Sequence, residues 1–587
     1  MFNYPPSKPS FLTEIKQFSG VNTSLTPSQI QDNEACVMEN FYISNSGKLV
    51  KRIGWKTLLN LDDDKSINAM YVFNNRLIIA CGTKLYEYKS DNTKTILYDG
   101  IDETRVLMFE MNDKLYIKDG VSYLEYDGTN FVDVLTKPYI PTLFQTCEPG
   151  GSGVEVEQWN LIGNKFKQLY SGTGIDKVYK MCFTNLQSVD KVIVNAVELA
   201  LTTGYTVDLV KGEITFVTEP SKGTDNVSIE ASKTFEGDYK QRILRATLFT
   251  NYGGNNDTRV LLAYGSVLYR SGVLDPTYWP ENYYQVVGNT DEAITGFAKQ
   301  YDYCVIFKEK SIWHTRFEDG LYPVRPLNDA VGCINPYSVQ LIENAPFFLD
   351  KTGIFAINQT SVRDERNVEL ISQRVNYANL RGEVGFLQEN GVKYGFSVDF
   401  DRKYMYFINN KVYIFDYENN CWYKWTNIQA KSVVEWNNKL YWGDFAGDLC
   451  TFKDAEEQQA YNDNLIPVKA LWKSKIYDFE SDEKLKKVEN MYFSMNTARR
   501  TSVKIAYYNQ ANEKIDLGLT INDLFDYRTV DYSRFCYTAT NFPKENTLKV
   551  KAKKIVYFQV EIVSDLDNET LEILSMDLKY KILKYIK

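Results

Sequence analysis

A single histidine, His314, stands in a chain of 587 residues, and that scarcity removes several chemistries at once. A multi-histidine metal site is excluded, and Ser-His-Asp or Cys-His catalysis has only this one imidazole to draw on. His314 lies in the strand-like run "SIWHTRF", where a packed or surface side chain is the expected role. The nine cysteines occur singly, with no CxxC pair. An odd set of isolated thiols fits free, buried cysteines in a reducing cytosol. The opening "MFNYPPSKPSFLTEIKQF" has no apolar run of signal-peptide length. No stretch approaches the roughly 18 apolar residues of a membrane helix. The expectation is a soluble chain made in a cytoplasm, with no membrane span.

Motifs for chemistry are equally sparse. No GxxxxGK[ST] occurs, and "SGTGID" at 171–176 lacks the lysine and precedes no helical pattern, so it reads as a turn. "LDDDK" at 61–65 is acidic but lacks the spaced ligands of a calcium loop. Asp399 and Asp401, in "SVDFDRKY", form a carboxylate pair one residue apart at a strand–turn junction, where capping the turn is the favoured role. Glycosidases do work with paired carboxylates. Here, however, no repeated Ser-x-Asp-x-Gly-x-Thr-Trp box accompanies the pair. No catalytic, cofactor or metal site is expected, and the chain reads as a non-enzyme.

Net charge is −9, which disfavours a general nucleic-acid binder. The charge is unevenly spread. From residue 466 onward there are 21 Lys and Arg against 17 Asp and Glu, about +4, leaving about −13 for the rest. The basic clusters are "KLKK" at 484–487, "ARR" at 498–500 and "KVKAKK" at 549–554. They read either as strand edges guarded by lysine against edge-to-edge pairing or as a docking face for an acidic partner.

What the chain has in abundance is aromatic residues, 14% with 43 Tyr and 32 Phe, a bias toward pleated, half-buried surfaces. It also repeats one hairpin about seven times, near Leu77, Leu115, Leu262, Ile306, Phe348, Phe407 and Leu440. Where nothing intervenes the spacing is roughly 34 to 59 residues, the range of β-propeller blades. The fold class expected is all-β: a β-propeller of about five to seven blades with two β-sandwiches. Unrelated hairpins in one large β-sandwich are the alternative.

Five segments follow. Residues 1–55 form an N-terminal docking segment. The propeller occupies 56–147 and 236–465. Between its halves, 148–235 begins at a Gly-rich boundary and reads as an inserted β-sandwich of short strands. "FKDAEEQQAYNDN" at 452–464 reads as a polar linker to a C-terminal β-sandwich over 466–587. There "LKVKAKKIVYFQVEIVSD" at 548–565 reads as one long alternating strand. Val556, Phe558, Val560 and Ile562 would face its core, and Ile555, Tyr557, Gln559 and Glu561 would face solvent or a partner.

The stretch "FSGVNTSLTPSQIQDNEACVMENFYISNSGKLVKRIGW" resembles the opening of phage tail and neck β-propeller proteins, the nozzle (tail tubular protein B) and packaged-DNA stabilisation types. The matching positions are Gly20 to Asn22, Asp32, Glu34, Asn40, Arg52 and Gly54. A second match, "VVGNTDEAITGFAKQYDYCVIFKEKSIWHTR", carries Asp291, Glu292, Lys308, Ser311 and Trp313. A third, "DKTGIF", carries Gly353. The resemblance implies a short helix over 33–39, which Asp32 is well placed to cap, and a virion protein without catalytic residues or cofactors. Its copies would form a ring, usually six-fold, below the portal and adaptor. Other tail and neck proteins, the adaptor, hub and fibres, would be its partners. Double-stranded DNA would pass without sequence-specific binding. A receptor- or glycan-binding propeller on the virion is the alternative function.

Overall fold

Five hairpins share one device. Their turns are two residues long, and both residues lie in the left-handed region: Asn74-Asn75 (φ 49° and 60°), Asn112-Asp113 (53° and 58°), Glu343-Asn344 (48° and 66°), Asp401-Arg402 (49° and 55°) and Asn437-Asn438 (51° and 58°). Such turns match the right-handed twist of the flanking strands, and short polar side chains tolerate the backbone conformation best. Each opens a four-stranded antiparallel array. The computed structural model describes residues 9–585 apart from 63, 105, 235–236, 255, 360–365, 497–500 and 523–542, and among these described residues the fold is all-β with one short α-helix, Tyr239–Arg245.

Seven four-stranded arrays occur among the described residues, over 67–99, 107–133, 248–286, 294–328, 340–370, 396–426 and 432–452. The last contributes only three of its own strands. Its fourth is Trp55–Asn60, which pairs antiparallel with Asp448–Phe452.

The chain divides into two compact units. One comprises Tyr71–Tyr88 and Thr95–Pro336. In it, Phe109 and Tyr116 of the second array share a core with Val260 and Leu262 of the third. Leu261 and Leu268 of the third meet Cys304 and Ile306 of the fourth. The intervening segment has a separate core, with Phe166, Tyr170, Ile214, Phe216, Val227 and Ile229 buried between a six-stranded and a three-stranded sheet. Its sheet includes Thr142–Cys147, which pairs parallel with Lys165–Gly172, so this body starts six residues before the Gly-rich stretch.

The other unit comprises Met1–Met70, Lys89–Lys94 and Tyr337–Lys587. Its sixth array does not end at Cys421–Thr426. That strand pairs in parallel with Ala35–Glu39, which pairs with Ala470–Tyr477, and the sheet runs on to nine strands. A six-stranded sheet faces it. Trp472, Ile505, Phe558 and Val560 from one side and Val488, Met491, Phe493 and Leu578 from the other form one core.

Two expectations are corrected here. No helix forms over 33–39: Ala35–Glu39 is a strand, with Ala35, Cys36, Val37 and Met38 all buried. A run buried on every face gains more in the middle of a sheet than as one surface turn of helix, and Asp32 accepts from Lys475 Nζ (2.9 Å) instead of capping. Nor is 548–565 one strand. It breaks after Ile555 and resumes at Phe558 in the opposite sheet. Gln559 and Glu561 are consequently buried, not solvent-facing, with Glu561 held by Lys514 Nζ (2.6 Å) and Tyr508 OH (2.9 Å).

Candidate functional site at the opening segment

Three of the residues that carry the resemblance in the opening segment, Asn40, Arg52 and Gly54, converge on one buried joint. Arg52, 1% exposed, uses all five of its N–H donors. Nε donates to Asn40 Oδ1 (2.7 Å), and the two terminal nitrogens grip Asp463 Oδ1 and Oδ2 (2.7 Å each). The remaining donors reach the carbonyls of Ile53 (3.0 Å) and Thr426 (2.8 Å). Asn40, in the left-handed region at φ 57°, accepts from Thr426 N and donates to Thr426 Oγ1 and to the Lys469 carbonyl. A planar fork on a carboxylate is the strongest pairing available to a buried cation, and here no donor is left over.

Gly54 closes the joint. A Cβ there would lie 2.0 Å from the carbonyl oxygen of Asn462, so only glycine lets the two backbones touch. Asn462 in turn donates to Asp567 Oδ1 (2.7 Å) and accepts from Asn568 N (3.0 Å). Lys51 donates to Ser564 Oγ (3.3 Å), and burial pulls its ammonium down to about 8 against the opposing pull of Glu569. The stretch read as a polar linker thus supplies Asn462 and Asp463 to the interior, a role that no local feature of "YNDN" announces.

The other end of the segment is tied separately. Gly20 admits the Trp422 carbonyl, which would lie 2.3 Å from a Cβ. Asn22 Nδ2 donates to Glu34 Oε2 (2.9 Å), and the same oxygen accepts from Gln31 N. Asn22 and Glu34 are both buried, and they hold the loop that leads into Ala35–Glu39.

The second matched stretch forms its own cluster in the other unit. Trp313 Nε1 donates to Ser311 Oγ (3.1 Å), which donates to Glu292 Oε2 (3.3 Å). Lys308 is buried and donates to the carbonyls of Val287 (2.6 Å) and Asn289. Burial lowers its ammonium, and Glu292 and Asp291 oppose that shift. Gly353, at φ 144°, leaves room for Ser372 Oγ, which accepts from Ile354 N (2.8 Å). All these residues fasten loops to strands.

The candidates for chemistry are dispersed. Asp399 is half-buried, accepts from Tyr417 OH (3.3 Å) and is raised by burial. Asp401 is the first residue of a two-residue turn and pairs with Lys403. His314 packs against Tyr303, with ring centroids 5.2 Å apart. Among the described residues no group of three or more His, Cys, Asp or Glu could hold a metal ion. The "ARR" cluster lies outside the described residues.

No family model and no curated protein matches the chain. Solved structures similar to it include the computationally designed Ika8 protein, at 10% identity over 68% of this chain and 99% of that one, with a TM-score of 0.31. PorZ, a surface component of the type-IX secretion system of Porphyromonas gingivalis, is 11% identical over 79% of this chain and 46% of its own, with a TM-score of 0.32. An exo-beta-1,3-galactanase from Phanerochaete chrysosporium is 8% identical over 74% and 99%, with a TM-score of 0.20. Superposition at this level bears on neither the fold nor the activity of this chain.

Proposed function

We propose that the chain is a non-enzymatic structural protein of a bacteriophage tail or neck, with its seven four-stranded arrays arranged as the blades of a β-propeller. The observation that carries the propeller reading is the strand Trp55–Asn60. It lies seven residues before the first array in sequence and completes the last, so one short connection ties the ends of the repeat together. The observation that carries the structural role is the Arg52 joint. The buried polar residues behind the phage resemblance hold loops and strands in place.

In this reading, copies assemble as a ring, six-fold by family resemblance, that continues the DNA channel below the portal and adaptor. The surplus of about 13 acids outside the C-terminal region suits a conduit past which phosphates slide without sticking. Immunogold labelling of purified phage particles tests the assignment. Gold at the head–tail junction or along the tail axis is the expected result. Gold at distal fibres would favour a receptor-binding role, and a protein absent from purified particles would overturn the virion reading.

A further inference from the structure

Two of the C-terminal basic clusters, at 484–487 and 549–554, are separate in sequence and contribute lysines to one sheet face. Lys484–Asn496 is flanked by Lys544–Ile555 on one side and Glu572–Tyr585 on the other. Register places Lys487 directly opposite both Lys553 and Lys581, so three lysines form one row across three strands. The next outward-facing row is Lys549, Asn490 and Lys579. At the strand spacing of about 4.8 Å, each row spans roughly 10 Å. The opposite face of the same strands carries Val488, Met491, Val550, Ala552 and Leu578 into the core, so the lysines point away from it.

One acid sits in this stripe. Glu489 accepts from Lys487 (2.7 Å) and lies 3.2 Å from Lys581, which leaves about +4 from five lysines. The other acids of these three strands lie toward the opposite end, at Glu545, Asp577 and Glu572, beside Ser494, Tyr492 and Asn496 in register. Two β-bulges on Lys544–Ile555 place Lys551 and Lys554 in the left-handed region at φ 54° and 61°. Lysine rarely adopts that conformation, and a bulge re-aims the side chains around it. Edge protection alone needs one or two lysines on the outer strand; here the charge also covers the two strands behind it.

We propose that this lysine face binds the phosphodiester backbone of duplex DNA without reading its sequence. Protein–protein interfaces are depleted in lysine and enriched in arginine and aromatics, which argues against a protein partner. Lysine is a compact, hydrated point charge suited to phosphate rows, and neither row contains an aromatic side chain that could serve as a stacking platform for single strands. The inference rests on register and charge and stands apart from the phage assignment, so failure of either leaves the other intact.

Anisotropy of a fluorescent 30-base-pair duplex of random sequence, titrated with the full chain at several NaCl concentrations, is the test. Saturable binding is expected at 50 mM NaCl, with a log–log salt slope of about −4 and a loss of about two orders of magnitude in affinity by 200 mM. The triple variant Lys549→Gln, Lys553→Gln, Lys579→Gln should weaken binding at least tenfold and flatten the slope by about three, with an unchanged circular dichroism spectrum. Lys211→Gln, in the intervening body, should leave binding as it is. No saturable binding at 50 mM NaCl would overturn the proposal, as would binding that the triple variant leaves unchanged. Displacement of the duplex by polyglutamate at equal charge would overturn it in favour of an acidic protein surface.

Discussion

Arg52 and Lys118 are both about 1% exposed, yet the fold treats the two cations in opposite ways. Arg52 faces a carboxylate and has every donor satisfied. Lys118, in the other unit, faces carbonyls only: Ile243 O at 2.5 Å and Ala246 O at 3.5 Å, at the C-terminal end of the helix Tyr239–Arg245, with the Tyr123 ring 5.6 Å away. The helix end offers partial negative charge, but less than an ion would. Burial therefore pulls the Lys118 ammonium down to about 7. A buried charge with a counter-ion becomes a joint that fails when either half is removed. A buried charge without one becomes a group that can give up its proton.

The largest effect should come from breaking the paired joint. Asp463→Asn leaves the Arg52 guanidinium buried without its counter-charge and should cost about 3–5 kcal/mol in chemical denaturation. Protease cleavage within residues 20–54 should rise in parallel, because the joint holds that segment. Replacing both partners, Arg52→Met with Asp463→Leu, should recover a large part of the loss, since two apolar groups leave no orphaned ion. A loss under 1 kcal/mol for Asp463→Asn would mean that the pair does not hold the segment. Gly54→Ala, which drives a methyl into the Asn462 carbonyl, should cost about 1–3 kcal/mol. Combined with Asp463→Asn it should fall short of the sum, because both disturb the same contact.

Lys118→Met probes the unpaired case through pH. Between about 7 and the ordinary lysine value of 10.5, the unfolded chain holds a proton that folded Lys118 has released. Unfolding then takes up a proton, so wild-type stability rises with pH across that window, by up to about 1.4 kcal/mol per unit. Below pH 7 both states are protonated and the contribution is flat. The stability of wild type minus Lys118→Met should therefore climb from pH 7 to 10, measured as the difference in thermal midpoints. A flat difference would show that Lys118 stays charged in the fold.

The same contrast explains what was legible in the sequence. The hairpins were, because a two-strand unit is local and its period is written in Leu, Tyr and Ile every second position. Asn-Asn or Asn-Asp at three of the five turns also predicts the left-handed conformation, a signal available in "NNR", "NDK" and "NNK". The joint was legible on one side only. Arg52 and Gly54 stand out in the opening motif, but Asp463 lies 411 residues away in a stretch whose composition says linker. Long-range pairing leaves no local trace. The helix expected over 33–39 failed for a related reason: "ACVME" has no helical periodicity to contradict it, and only its strand partners at Ala470–Tyr477 and Cys421–Thr426 decide its state. The break after Ile555 was hidden because alternation continues across it in sequence while the chain changes sheets.

The mildest test uses a pair that water reaches. Asp401 pairs with Lys403 as Asp463 does with Arg52, but its side chain is 72% exposed. Solvent screens such a pair, so Asp401→Asn should change stability by less than 1 kcal/mol. Asparagine also keeps the turn, because it tolerates the left-handed φ of 49° at this position. Asp401→Val should cost more, about 1–2 kcal/mol, though it removes the same charge, because a β-branched side chain is strained in that conformation. Denaturation midpoints of the two variants separate the contributions. If Asn costs as much as Val, the ion pair matters at the surface as it does in the core; if Asn is silent and Val is not, Asp401 is there for its backbone.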